Sequence, residues 1–146
     1  MKKHAFAVSI LLGLFLLATA APGQAQQPLR VKIPFDFVAD KVSLPAGEYI
    51  VQPSAQGSPA LLVQRIDGRE AAAAVLMSHP ADANAQNREL CLVFRVYGER
   101  YFLSEAWTDG ASGGRKFHTS PVEKQLAKNE TSREVILLAS LREPKR

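Results

Sequence analysis

Glu105, Ser112 and His118 are the residues whose types fit a hydrolytic site: an acid, a hydroxyl nucleophile and an imidazole within one short stretch. Ser112 stands in Gly-Ala-Ser-Gly-Gly, residues 110–114, which spells the G-x-S-x-G of a nucleophile elbow. An elbow needs a strand before it and a helix after it, because the tight turn must lift the hydroxyl at the helix start. Here the next residues are Arg115-Lys116-Phe117-His118-Thr119-Ser120, which do not read as a helix. The partner order fails as well: no Asp follows Ser112, and His118 precedes every later Glu. The stretch reads as a flexible loop, and it lacks the spacing and the following helix of a phosphate-binding loop.

Glu105 is the acid of most interest. Gly98-Glu99 fits a two-residue hairpin turn with glycine first. Pairing outward from it sets Val96 against Tyr101, Phe94 against Leu103, Leu92 against Glu105 and Leu90 against Trp107. On that register Glu105 is enclosed by apolar groups, where a carboxyl holds its proton to higher pH and can act as a general acid. A β-bulge near Ser104 turns Glu105 outward instead. An ion pair with a nearby arginine is the other way to satisfy it. No second carboxylate is placed to complete an acid–base pair.

His79 and His118 are far apart in sequence, and no His/Cys cluster has ligand spacing. No metal site and no cofactor are therefore expected. Cys91 is the sole cysteine and has no intramolecular partner. In Glu-Leu-Cys-Leu-Val-Phe-Arg-Val-Tyr it reads as a small buried apolar residue, with an intermolecular or reactive thiol as the alternative.

The elements that must position these residues follow a leader. Lys2 and Lys3 precede an apolar run, Ala5 to Ala18, and small residues follow as Ala18-Thr19-Ala20 and Gly23-Gln24-Ala25. That order is a secretory signal of bacterial kind. The run is short of the roughly 20 residues of a membrane span. Cleavage is expected between Ala20 and Ala25, taken here after Ala25. The remaining 121 residues, 26–146, form a single domain that is secreted or periplasmic and does not span a membrane. Loss of Lys2 and Lys3 leaves 16 basic and 14 acidic residues, interspersed apart from a short basic tail. A nucleic-acid footprint would be a dense basic face, so nucleic acid is excluded as a partner.

Along the mature chain the dominant period is two. Val31, Ile33, Phe35 and Phe37 share one face of a strand, and Pro34 places that strand at an edge or a bulge. Leu44-Pro45-Ala46-Gly47-Glu48 is a turn, and a second strand stops at Pro53. Asp67-Gly68 reads as a two-residue hairpin loop with Arg65 opposite Glu70, although the alanines 71–74 favour helix on propensity. Ser120 as N-cap, Pro121 at the first position and Glu123 three residues after the cap predict one helix, Pro121 to Lys128. The continuous apolar run of Arg133–Leu141 predicts a central, two-sided strand. The expected fold is mainly β: an antiparallel β-sandwich or small barrel of about seven strands with that one short helix.

The Ile-Pro-Phe-Asp-Phe segment, the Leu-Pro-Ala-Gly-Glu-Tyr turn and Arg-Tyr-Phe-Leu-Ser-Glu-Ala-Trp together resemble a group of uncharacterised small exported proteins of environmental bacteria. The resemblance spans most of the mature chain. It implies an exported β-rich domain and supplies no catalytic residue. The turn alone also resembles one in transthyretin-like β-sandwich modules. The expected function is a non-catalytic exported β-domain that binds a partner protein, an envelope component or a small ligand. The alternatives are a small hydrolase using Glu105 with His118 or Ser112, and a carrier whose aromatics line an apolar cavity.

Overall fold

The computed structural model describes residues 27–82, 89–108 and 113–141. The expected leader and Ser112 lie outside the described residues. Among the described residues eleven strands and one helix form: β1 (Leu29–Ile33), β2 (Phe37–Ala39), β3 (Val42–Leu44), β4 (Gly47–Pro53), β5 (Ala60–Arg65), β6 (Ala73–Pro80), β7 (Cys91–Tyr97), β8 (Arg100–Trp107), β9 (Gly114–Phe117), α1 (Pro121–Ala127), β10 (Arg133–Leu138) and β11 (Ser140–Leu141). The fold is mainly β with one short helix, as the period predicts. Eleven strands replace the expected seven because β2, β3, β9 and β11 are too short to show a period of their own.

The period of two holds from Leu29 to Ala39, but the partners change within it. Leu29, Val31 and Ile33 are buried and Arg30 and Lys32 exposed. Pro34 has no N–H to give a ladder, so β1 stops there. β1 pairs with β4 and β11, whereas β2 pairs with β3 and, in parallel through Val38, with Phe102 of β8. The single strand expected over Val31–Phe37 is therefore two strands in different parts of the sheet.

The hydrogen-bonded path runs β10-β7-β8-β9-β6-β5-β4-β1-β11, and it is open. Its two ends are neighbours in sequence, since only Ala139 separates β10 from β11. β6 also bridges two regions: Ala73–Met77 pair with β5, and Ser78–Pro80 pair with β9. Folded in this way, the sheet gathers Leu29, Val31, Phe37, Tyr49, Val63, Leu76, Leu92 and Phe94 into one core. Phe94 meets Phe35 and Phe37 edge-on at 5.1 and 5.5 Å, Phe37 meets Tyr49 at 5.3 Å, and Phe35 stacks on Tyr101 at 3.8 Å. These aromatics pack on one another, and each edge-to-face contact adds about 0.5–1.5 kcal/mol to the burial itself.

Ile33 to Val51 proves to be scaffold. Asp36 Oδ1 accepts the Ala46 N–H at 2.8 Å, and the Tyr49 hydroxyl donates to the Pro45 carbonyl at 2.6 Å. Burial raises the Tyr49 phenol above its ordinary value, against the pull of Arg65. Arg65 donates to the Ala46 carbonyl at 2.9 Å and pairs with Asp67. Its guanidinium lies so close to Gly47 that a Cβ there would sit 2.6 Å from Nε. The turn keeps glycine at this position because any side chain would displace the arginine that braces it.

Two expectations are corrected here. The Asp67-Gly68 turn does not close a two-residue hairpin. The Arg65 N–H bonds the Ala72 carbonyl, the loop is longer, and Arg65 pairs with Asp67 rather than with Glu70. β5 and β6 do pair as the expected hairpin, and Ala73 and Ala74 begin β6 as strand despite their helix propensity. β10 is not central but lies at one end of the path. Its apolar run splits, with Val135 and Leu137 packed against the core and Ile136 and Leu138 exposed at 51% and 67%.

The helix forms as expected, one residue shorter, with Lys128 as its C-cap. Ser120 Oγ accepts the Glu123 N–H at 3.1 Å, which is half of a capping box. The reciprocal half is absent, because the Glu123 carboxylate turns into the protein. It accepts from Arg95 at 3.0 Å and from the Tyr97 hydroxyl at 3.3 Å. A seven-residue helix is not stable alone, and this inward carboxylate ties it to β7.

Candidate functional site

The candidate chemistry gathers on the outer face of β8, β9 and β6. What puts it there is a register shift in the β7–β8 hairpin. The turn is the expected one: Gly98 takes φ +58° and Glu99 stays at negative φ. Pairing runs as expected through Phe94↔Leu103, then slips by one residue to Val93↔Glu105, Leu92↔Ala106 and Cys91↔Trp107. Ser104 is the extra residue of a β-bulge. It turns Ala106 into the core and puts Glu105 and Trp107 on the outer face, so the register setting Leu92 against Glu105 and Leu90 against Trp107 is corrected. The bulge falls where β8 changes partner, from Phe102 beside β2 to Glu105–Trp107 beside β9.

Glu105 is half-buried and satisfied locally, with Oε2 accepting the Trp107 indole N–H at 2.9 Å. Across the ladder Glu105 faces Lys116, and Trp107 faces Gly114. The indole lies directly on Gly114, where a Cβ would sit 2.7 Å from Cε3. Gly114 therefore belongs to a strand, seated under the Trp107 ring, and not to a flexible loop. Cys91 and Val93 are buried with Trp107 in a small cluster on this face, which bears out the apolar reading of Cys91.

Beyond Lys116 the row continues onto β6, where His79 stands opposite Lys116. His118 lies two residues along from Lys116, and its ring is 5.2 Å from that of His79. The Lys116 ammonium is 4.0 Å from Asp82 Oδ2. Sequence reasoning treats the two histidines as remote. The β6–β9 ladder brings them together, and β9, at four residues, carries too little pattern to announce it.

Of the three hydrolytic candidates, Glu105 and His118 reach the same face. Among the described residues no hydrogen bond joins them: Glu105 is engaged by Trp107, and His118 lies against His79. Among the described residues, no group of three His, Cys, Asp or Glu side chains is set to hold a metal ion, and no helix is long and apolar enough to cross a membrane.

A second polar cluster lies under α1, where Glu123, Arg95, Tyr97 and Thr119 meet. The Glu123 side chain is 4% exposed and that of Arg95 23%. Arg95 also donates to Thr119 Oγ1 at 3.4 Å. Each of these groups has a partner within the protein, so the cluster fastens the helix to the sheet. No family model, curated protein or solved structure matches the chain.

Proposed function

We propose that this is an exported, non-catalytic β-domain that binds a partner polypeptide, taking up one extended segment of it along β10. The observation that carries the reading is the position of β10. It ends the hydrogen-bonded path, among the described residues it has a ladder partner on one edge alone, and it exposes Ile136 and Leu138 on its outer face. An unpaired strand edge is a template for another strand, and apolar side chains beside it favour an extended segment with alternating apolar residues. β1 lies near β10 without a ladder to it, since its pairing on that flank covers Leu29↔Leu141 and Arg30↔Ser140. The hydrolase alternative loses support because Glu105 is engaged by Trp107. The carrier alternative loses support because the aromatics pack on one another.

The test is intact-complex mass spectrometry of the protein purified under mild conditions from its native host, beside Ile136→Lys/Leu138→Lys. A polypeptide held by the parent and lost from the variant supports the proposal. A polypeptide held equally by both, a small-molecule adduct instead, or the bare chain overturns it.

A further inference from the structure

We infer that Met77, His79 and His118 form a surface site for a single transition-metal ion, copper before the others. This stands apart from the proposed role of β10, on different strands. Ser78 pairs with Phe117, and both are buried. On β6 Met77 precedes Ser78 and His79 follows it, and His118 follows Phe117 at the end of β9. The alternation that turns Ser78 and Phe117 inward turns these three outward. Met77 is 56% exposed, and both imidazoles are exposed.

The spacing of the rings fits chelation. A metal–imidazole bond of about 2.0–2.1 Å, plus about 1.1 Å from nitrogen to ring centre, puts each centre about 3.2 Å from a shared ion. Two such rings at a tetrahedral angle have centres about 5.2 Å apart, and at a right angle about 4.5 Å. The centres of His79 and His118 are 5.2 Å apart, with their planes tilted by 43°. Ring rotation is then enough to aim one nitrogen of each at a common point, with no movement of the strands. The backbone beneath is held by the β6–β9 ladder, which limits the ordering cost of binding.

The donor set selects the ion. Divalent affinity for nitrogen ligands rises to a maximum at Cu²⁺, and a thioether adds a preference for Cu⁺ over Zn²⁺. Met77 stands exposed on that face, as Val75 does two residues before it, and its thioether is the one soft donor there among the described residues. Lys116, the cation between the rings and Glu105, lies beside Asp82, which offsets its charge toward an incoming ion.

The experiment titrates the purified full-length processed protein with Cu²⁺ alone, by calorimetry in a non-coordinating buffer and by electron paramagnetic resonance. The variants are His79→Ala, His118→Ala and Met77→Leu, all at exposed positions, with folding checked by circular dichroism. The expected result is one ion per chain, hyperfine coupling to two imidazole nitrogens, and about tenfold or greater loss of affinity in either histidine variant. Met77→Leu is expected to leave Cu²⁺ affinity within about twofold and to weaken Cu⁺ binding, measured by competition with a chromophoric chelator. Absence of binding, or binding that survives in both histidine variants, overturns the site. Survival in both would put the copper on other groups, such as the amino terminus.

Discussion

The cluster under α1 makes an asymmetric prediction. Arg95 and Glu123 share one ion pair at 3.0 Å, yet their surroundings differ: the arginine side chain is 23% exposed and the carboxylate 4%. Glu123→Gln leaves the guanidinium able to turn toward water and keeps a neutral acceptor for Tyr97. The loss is that of one charge-assisted hydrogen bond moderated by solvent, about 1–2 kcal/mol. Arg95→Met leaves a carboxylate enclosed by protein with the Tyr97 hydroxyl as its remaining side-chain partner, and stranding a buried charge costs about 3–5 kcal/mol. The arginine variant is therefore the less stable of the two, although each removes the same contact. The double variant Arg95→Met/Glu123→Gln strands no charge, keeps an acceptor for the Tyr97 hydroxyl and costs less than the sum of the single changes. Trp107, the single tryptophan, reports unfolding in urea by its fluorescence. Equal losses in the two single variants, or a double variant that matches their sum, would refute the claim that enclosure of Glu123 sets the energetics.

Three further outcomes follow from other sites. Gly114→Ala drives a methyl into the Trp107 ring and destabilises by about 1–3 kcal/mol, seen as a lower melting temperature together with red-shifted tryptophan emission. Asp40, at φ +56° in the β2–β3 turn, pays the left-handed penalty of a residue with a Cβ. Asp40→Gly raises the unfolding free energy by up to about 1 kcal/mol, read as a higher urea midpoint at unchanged slope, and a fall in the midpoint would contradict the assignment. Asp67 gives an acid dependence. Desolvation pushes its carboxyl up, but the Arg69 N–H, the Arg65 guanidinium and the Glu48 N–H together hold it below its ordinary value. Glu48 is held low by its hydrogen bond to Arg30. Groups depressed in the folded state stabilise it above their unfolded-state values, and that stability is lost as pH falls through the folded values. The parent therefore loses stability below about pH 4, and Asp67→Asn, less stable near neutrality, loses less over that interval.

The β-rich class, the Gly98-Glu99 turn and the Ser120 cap were legible because each rests on neighbouring residues. What was not legible depends on distant ones. The residues allow a bulge near Ser104 without requiring one, and that single extra residue moves Glu105 and Trp107 off the main core face, Trp107 into a small buried cluster with Cys91 and Val93. The run Val135–Leu138 looks the same whether both faces are covered or one is left open; only the path of the sheet tells them apart. Asp67-Gly68 carries a hairpin signal, but Arg65 gains more by bracing the Ala46 carbonyl with Asp67 than by facing Glu70. His79 and His118 become neighbours through β9, whose four residues look like part of a loop.

The placement of β1 bears on when the protein can finish folding. Leu29, Val31 and Ile33 belong to the first strand made, and one of its two flanks is filled by Ser140 and Leu141, made after every other described strand. A chain emerging from the ribosome therefore carries an apolar ribbon with one bare side until Ser140 and Leu141 are made. That flank is what a chaperone would have to cover, and the pairing of Leu29 and Arg30 with Leu141 and Ser140 is the latch that closes it.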